Sequence, residues 1–78
     1  MKDLVEQIAR RFADHPDRIS VTEIVGRQTD LLEVHCNNGD IGRIIGRNGK
    51  TISAMRVILN ALSSKSKKRV VLEVVGKE

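Results

Sequence analysis

The sequence predicts an α+β fold in the order α-β-β-α-α-β. Two observations carry that expectation. Apolar residues recur at helical spacing near the N-terminus and again beyond Gly49, whereas between these segments and at the C-terminal end they follow strand-like patterns. Clusters of Gly, Pro, Asn, Asp and Ser separate the segments.

From Asp3 to Ala13 the apolar residues Leu4, Val5, Ile8, Ala9 and Phe12 form one stripe of an amphipathic helix. The run "DHPD", Asp14 to Asp17, ends it, because Pro16 disfavours helix at His15 and is expected to start an extended segment. There Ile19, Val21, Glu23 and Val25 alternate with Ser20, Thr22 and Ile24, which reads as a strand ending at Gly26. After a polar turn, Arg27 to Asp30, a second strand places Leu32, Val34 and Cys36 opposite Leu31, Glu33 and His35. The short turn predicts an antiparallel hairpin.

"NNGD", Asn37 to Asp40, is turn chemistry, and Asp40 is placed to cap a short helix carrying Ile41, Ile44 and Ile45. Gly46 breaks that helix. A longer one is expected from about Lys50 to Leu62, then a solvated "SSKSKKR" loop and a last strand, Val70 to Val75. On the longer helix Ser53, Arg56, Asn60 and Ser63 span an arc of roughly 80°, while Ile52, Ala54, Met55, Val57, Ile58, Leu59, Ala61 and Leu62 span about 220°. A core-facing stripe needs only about 100° or somewhat more. Either the helix is sunk deep, or part of its apolar surface faces a groove or another chain.

Composition narrows the function. The 78 residues suit one domain, 1–78, and no apolar run approaches a membrane span. The N-terminus has no signal-peptide pattern, and the single Cys36, read as a core residue on a strand, agrees with a reducing compartment, so a cytoplasmic location is expected. Fourteen Lys and Arg against ten Asp and Glu give +4, which favours anionic partners. Phe12 is the only aromatic residue, which disfavours recognition by base-stacking platforms.

The stretch "IGRIIGRNGKTI", Ile41 to Ile52, concentrates glycines and positive charge within an apolar run. A P-loop would need glycine where Ile44 stands, and so would a Rossmann fingerprint; both also need a buried strand leading into the loop. A helix-turn-helix would need a recognition helix rich in polar and basic groups, and this one offers chiefly Ser53, Arg56 and Asn60. "GRNG", Gly46 to Gly49, instead suits a GxxG loop between two helices. Glycines would let a sugar-phosphate chain approach the backbone, the N–H groups opening the longer helix would face phosphate, and Arg43, Arg47 and Lys50 would add charge. Ile41, Ile44 and Ile45 would floor a site for bases. No catalytic constellation emerges: His15 sits in a proline turn, His35 on a solvent-facing strand position, and the acids are scattered.

At these residues the chain resembles KH domains, whose (I/V)IGxxGxxI core stands here as Ile44, Ile45, Gly46, Arg47, Asn48, Gly49, Lys50, Thr51 and Ile52. A helix and strand ahead of the β-α-α-β unit resemble the type II arrangement, a three-stranded sheet with helices packed on one face. "LVEQIARRFADHPD" and "KRVVLEVV" extend the resemblance to nearly the whole chain, and to the small stand-alone bacterial KH proteins of the KhpA family, formerly grouped as YlqC. The resemblance implies an RNA-binding protein, an RNA chaperone or post-transcriptional regulator, that clamps about four single-stranded nucleotides at Gly46 to Gly49. It places Ile41, Arg43, Ile44, Ile45, Arg47, Asn48, Lys50 and Ile52 along the groove, opposite a sheet edge near Leu31 to Cys36. It further implies a homodimer, or a heterodimer with a larger KH-containing protein of the KhpB type. The alternative is a docking module with little RNA binding of its own. No enzymatic activity, cofactor, metal, membrane or small-molecule substrate is expected.

Overall fold

A computed structural model describes residues 1–77 of the chain. The elements are α1 (Lys2–Phe12), β1 (Ser20–Val25), β2 (Thr29–Asn37), α2 (Ile41–Ile45), α3 (Lys50–Leu62) and β3 (Arg69–Lys77), the predicted α-β-β-α-α-β order. β1 and β2 pair antiparallel, as the short turn requires, while β2 and β3 pair parallel. Parallel neighbours need a long crossover, and α2 and α3 supply it.

The sheet order is β1-β2-β3, so β2 lies in the middle with both of its edges paired. The expected groove wall at a sheet edge near Leu31 to Cys36 is therefore corrected: the free edges belong to β1 and β3. Strand alternation decides which residues meet the helices. Leu32, Val34 and Cys36 of β2 and Val70 and Leu72 of β3 are buried on one face with Val21 of β1. Val5 and Ala9 of α1, Ile44 of α2, and Ile52, Met55 and Leu59 of α3 close the core over them. The opposite face carries rows such as Ile24, Leu31 and Val71, and no described helix lies on it.

Several boundaries shift for identifiable reasons. Pro16 does not begin extended chain: its fixed φ opens a 3-10 turn, Pro16–Arg18, and the strand starts at Ser20. Asp30, expected in the turn, is a buried residue of β2. It tolerates burial because its carboxylate accepts hydrogen bonds from Lys68 Nζ at 3.0 Å and the Gly26 N–H at 3.3 Å. β3 runs two residues beyond the expected Val75, and the ends of the Asn38 and Ile41 side chains occupy the space where a Cβ on Gly76 would lie.

Asp40 does not cap α2 with its side chain. Its carboxylate turns to the segment that follows α1 instead, accepting the N–H of Asp14 at 3.1 Å and of His15 at 3.0 Å. One buried acid thereby ties the end of α1 to the start of α2.

Candidate nucleic-acid interface

The GRNG turn is shaped by three of its four residues, which lie at positive φ. Gly46 (φ 82°, ψ 169°) stops α2, and its N–H closes the last turn onto the Gly42 carbonyl at 2.9 Å. Asn48 (φ 57°) and Gly49 (φ 72°) are both left-handed, and α3 begins at the next residue. The N–H groups of Gly49 and Lys50 bond back to the Gly46 and Arg47 carbonyls. Those of Arg47 and Asn48 take no part in the turn's own hydrogen bonds. Arg47 and Asn48 are exposed, so the turn stands open to solvent with its charge outward.

The two glycines have different reasons. A Cβ on Gly46 would lie 2.3 Å from Thr51 Oγ1 and 2.9 Å from the Thr51 backbone nitrogen, so its absence lets the first turn of α3 pack against the loop. Nothing lies within 4 Å of the corresponding point on Gly49, whose open side faces outward. Of the pair, only Gly49 has the approachable backbone expected of both. The structural weight of Thr51 was hidden in the sequence, where "GKT" suggested only a phosphate motif.

The predicted site residues divide between surface and core. Arg43, Arg47, Asn48 and Lys50 are exposed, with Ile41, Ile45, Gly46 and Gly49 partly so. Ile44 has no accessible surface and Ile52 is buried, so neither forms a floor for bases; both pack beneath the loop and hold it on the sheet. The spacing that puts Ile44 on the inner side of α2 leaves Ile41 and Ile45 at its rim. Arg43 is engaged: its Nε sits 2.8 Å from Asp14 Oδ2, a pairing 29 residues apart in sequence that no local pattern could reveal. Among the described residues, Arg47 and Lys50 are the loop cations without such a partner.

Only part of the apolar arc of α3, Ile52, Met55 and Leu59, is buried in the core, and the polar arc is not left wholly to solvent. Arg56 Nη2 donates to the Leu72 carbonyl at 3.0 Å, and Asn60 and Ser63 bond to the backbone around β3, so the polar arc meets the sheet edge. Val57 (71% exposed), Leu62 (59%) and Ile58 (44%) face solvent. A groove of about 350 Å³ runs between α1 and α3, lined by Ile8, Phe12, Ala54, Met55 and Ile58, with Lys50 and Thr51 at its loop end. Part of the over-wide apolar arc is thus not sunk within the chain.

Among the described residues, two titratable groups are shifted. Desolvation would raise the Asp40 carboxyl, but the N–H donors of His15 and Asp14 and the His15 ring prevail and hold it below the usual carboxylate value. Burial, with the nearby Asp40 charge, pushes the Cys36 thiol up, which makes it an unreactive core group. His35 is less open than expected: its side chain is 16% exposed, with Nε2 3.8 Å from Glu33 Oε1. His15 and Cys36 stand beside structural partners, and the described residues hold no cluster of His, Cys, Asp and Glu suited to a metal. No described helix is long and apolar enough to cross a membrane.

Comparison with known proteins agrees with this geometry. The family model "KhpA/KhpB, KH domain" matches residues 2–74. The chain is 40% identical over 75 residues to a protein of Aquifex aeolicus named RNA-binding protein KhpA, covering 96% of this chain and 95% of that one. A protein of the same name from Clostridium acetobutylicum is 39% identical over 96% of this chain and 100% of its own. Another from Chlamydia muridarum is 35% identical over 96% of each. No solved structure matches the chain.

Proposed function

The chain belongs to the KhpA/KhpB KH-domain family, and from that membership we propose that it binds single-stranded RNA as a single KH domain, the backbone of about four nucleotides lying on the GRNG turn. The observation that carries this reading is the turn itself: an open Gly49, the N–H groups of Arg47 and Asn48 outside the turn's hydrogen bonds, and two cations beside them, Arg47 and Lys50, without an ion pair among the described residues. Phosphate would rest on peptide N–H groups while Arg47 and Lys50 supply charge. Ile41 and Ile45 would give bases an aliphatic contact in place of aromatic stacking. With two or three phosphates neutralised, log affinity should fall against log salt with a slope of about −1.5 to −2. Such a site reads backbone more than sequence, which suits a cytoplasmic RNA chaperone or post-transcriptional regulator.

The test is a double substitution, Arg47→Asp with Asn48→Asp, titrated by anisotropy against a short oligoribonucleotide. Binding should fall at least about tenfold while the thermal melt is retained; unchanged affinity would remove the turn from the site.

A second reading has its own support in the exposed Val57, Ile58 and Leu62. That face suits association, either between two copies or with a larger KhpB-type KH protein, and two grooves held together would raise effective concentration without new contacts. If this is the main role, Val57→Glu should abolish association in sedimentation and leave RNA contacts intact. An unchanged sedimentation profile would take Val57 out of any interface.

A further inference from the structure

The strongest charge concentration in the chain lies away from the GRNG turn. The β1–β2 turn and the α3–β3 loop are about forty residues apart in sequence, yet the Arg69 N–H bonds to the Gln28 carbonyl at 3.0 Å and Thr29 pairs in register with Arg69. This brings together Arg27, Lys65, Lys67, Lys68 and Arg69, with Asp30 as the one acid on these two segments. Asp30 is buried against Lys68, which leaves Arg27, Lys65, Lys67 and Arg69 exposed and without an ion pair among the described residues. Elsewhere nine bases face nine acids, so these two segments account for the whole net charge of +4.

The platform under these side chains is built rather than loose. The Ser63 side chain is buried, its hydroxyl 3.3 Å from the carbonyls of Asn60 and Lys68. Ser66 Oγ donates to the Ser63 carbonyl at 2.8 Å, and Lys67 (φ 58°) takes the left-handed turn that leads into β3. A loop whose only task was to stay solvated would need none of this anchoring. The 13 residues of α3 separate it from the GRNG turn by about 20 Å, the span of about six stacked nucleotides at about 3.4 Å each. Exposed Arg56 lies on α3 between the two.

We propose that Arg27, Lys65, Lys67 and Arg69 form a second phosphate-contact site, which holds the RNA backbone beyond the nucleotides clamped at the GRNG turn. The proposal rests on the RNA-binding reading of that turn and adds a length requirement to it. RNA long enough to reach both sites gains affinity through effective concentration, whereas RNA that fills only the turn does not.

The test compares oligouridylates of about six and about twenty nucleotides, lengths chosen to fill one site or both. The fourfold variant Arg27→Gln, Lys65→Gln, Lys67→Gln, Arg69→Gln should bind the longer RNA about tenfold more weakly at low salt, with a salt slope shallower by about 2, and the shorter within about twofold of wild type. A thermal melt checks the fold, and Lys65→Gln with Lys67→Gln alone repeats the comparison without touching either strand. Unchanged affinity for the longer RNA, or equal weakening at both lengths, would overturn the second site. So would displacement of a polyglutamate, but not of the longer RNA, by the fourfold change, which would assign the patch to acidic proteins. Failure of the turn reading is seen separately, as short-RNA binding that survives Arg47→Asp with Asn48→Asp.

Discussion

Asn60 holds Val70 by both ends of its side-chain amide: Oδ1 accepts the Val70 N–H at 3.2 Å and Nδ2 donates to the Val70 carbonyl at 3.5 Å. The side chain does for the outer edge of β3 what a fourth strand would do, leaving two backbone groups of a buried residue satisfied. The polar arc of α3 is therefore spent on the sheet, and the apolar residues that do not fit beneath it are turned outward.

Removing that amide should unpair both groups. Asn60→Leu keeps the size of the side chain but leaves the Val70 N–H and carbonyl with water alone, at a cost of about 1–2 kcal/mol. For a domain of this size that is a fall in melting temperature of about 4–15 °C, read by calorimetry or circular dichroism. Binding of short RNA at the GRNG turn should be unaffected. A melt identical to wild type would show that solvent replaces the amide without loss.

The two glycines of the turn should separate fold from binding. Gly46 occupies a backbone region that is essentially restricted to glycine, and Thr51 fills the space of its missing Cβ, so Gly46→Ala should cost more than about 2 kcal/mol in urea denaturation. Gly49 is left-handed with open space around it, so Gly49→Asn should cost well under about 1 kcal/mol while placing a side chain where a phosphate would lie. Weakened RNA binding by a stable Gly49→Asn protein is the expected result. Equal stability of the two variants would contradict the packing role assigned to Gly46.

Much of this architecture could be read from periodicity, because the alternation in β2 and the stripe of α1 are local consequences of where side chains point. The KH core likewise lies within nine consecutive residues. What escaped were partnerships made across the chain. Asp40 looked like a helix cap because the cap position is local, but its acceptors are used by Asp14 and His15 from another segment. Ile44 looked available to a ligand because spacing gives a face and not its depth. β2 could not be placed in the centre of the sheet until the crossover returned β3 to its side.

The Arg43–Asp14 pair bears on affinity. Both side chains are more than half exposed, so the pair adds little to stability, but it engages the Arg43 guanidinium with an acid. Asp14→Asn should free that charge and remove a nearby negative one, raising RNA affinity about twofold to threefold at low salt and losing the gain as salt screens it. Arg43→Gln should weaken binding less than Arg47→Gln does in the same anisotropy assay. The reverse order would mean that RNA displaces Asp14 on binding.

Asp40 is held ionised in the folded state by the His15 and Asp14 N–H groups and the His15 ring, so its carboxyl titrates below its unfolded value of about 3.9. A folded-state value depressed in this way gives stability that is fully present above the unfolded value and is lost as pH falls through the folded one. Wild type should therefore lose stability steeply below about pH 4. Asp40→Asn cannot ionise and keeps only one acceptor oxygen for two donors, so it should melt several degrees lower at neutral pH yet show a shallower decline in acid. Urea unfolding at neutral pH and at about pH 3 measures both arms. Parallel declines in the two proteins would mean that another carboxylate governs the acid limb, and that the tie between α1 and α2 does not depend on the charge of Asp40.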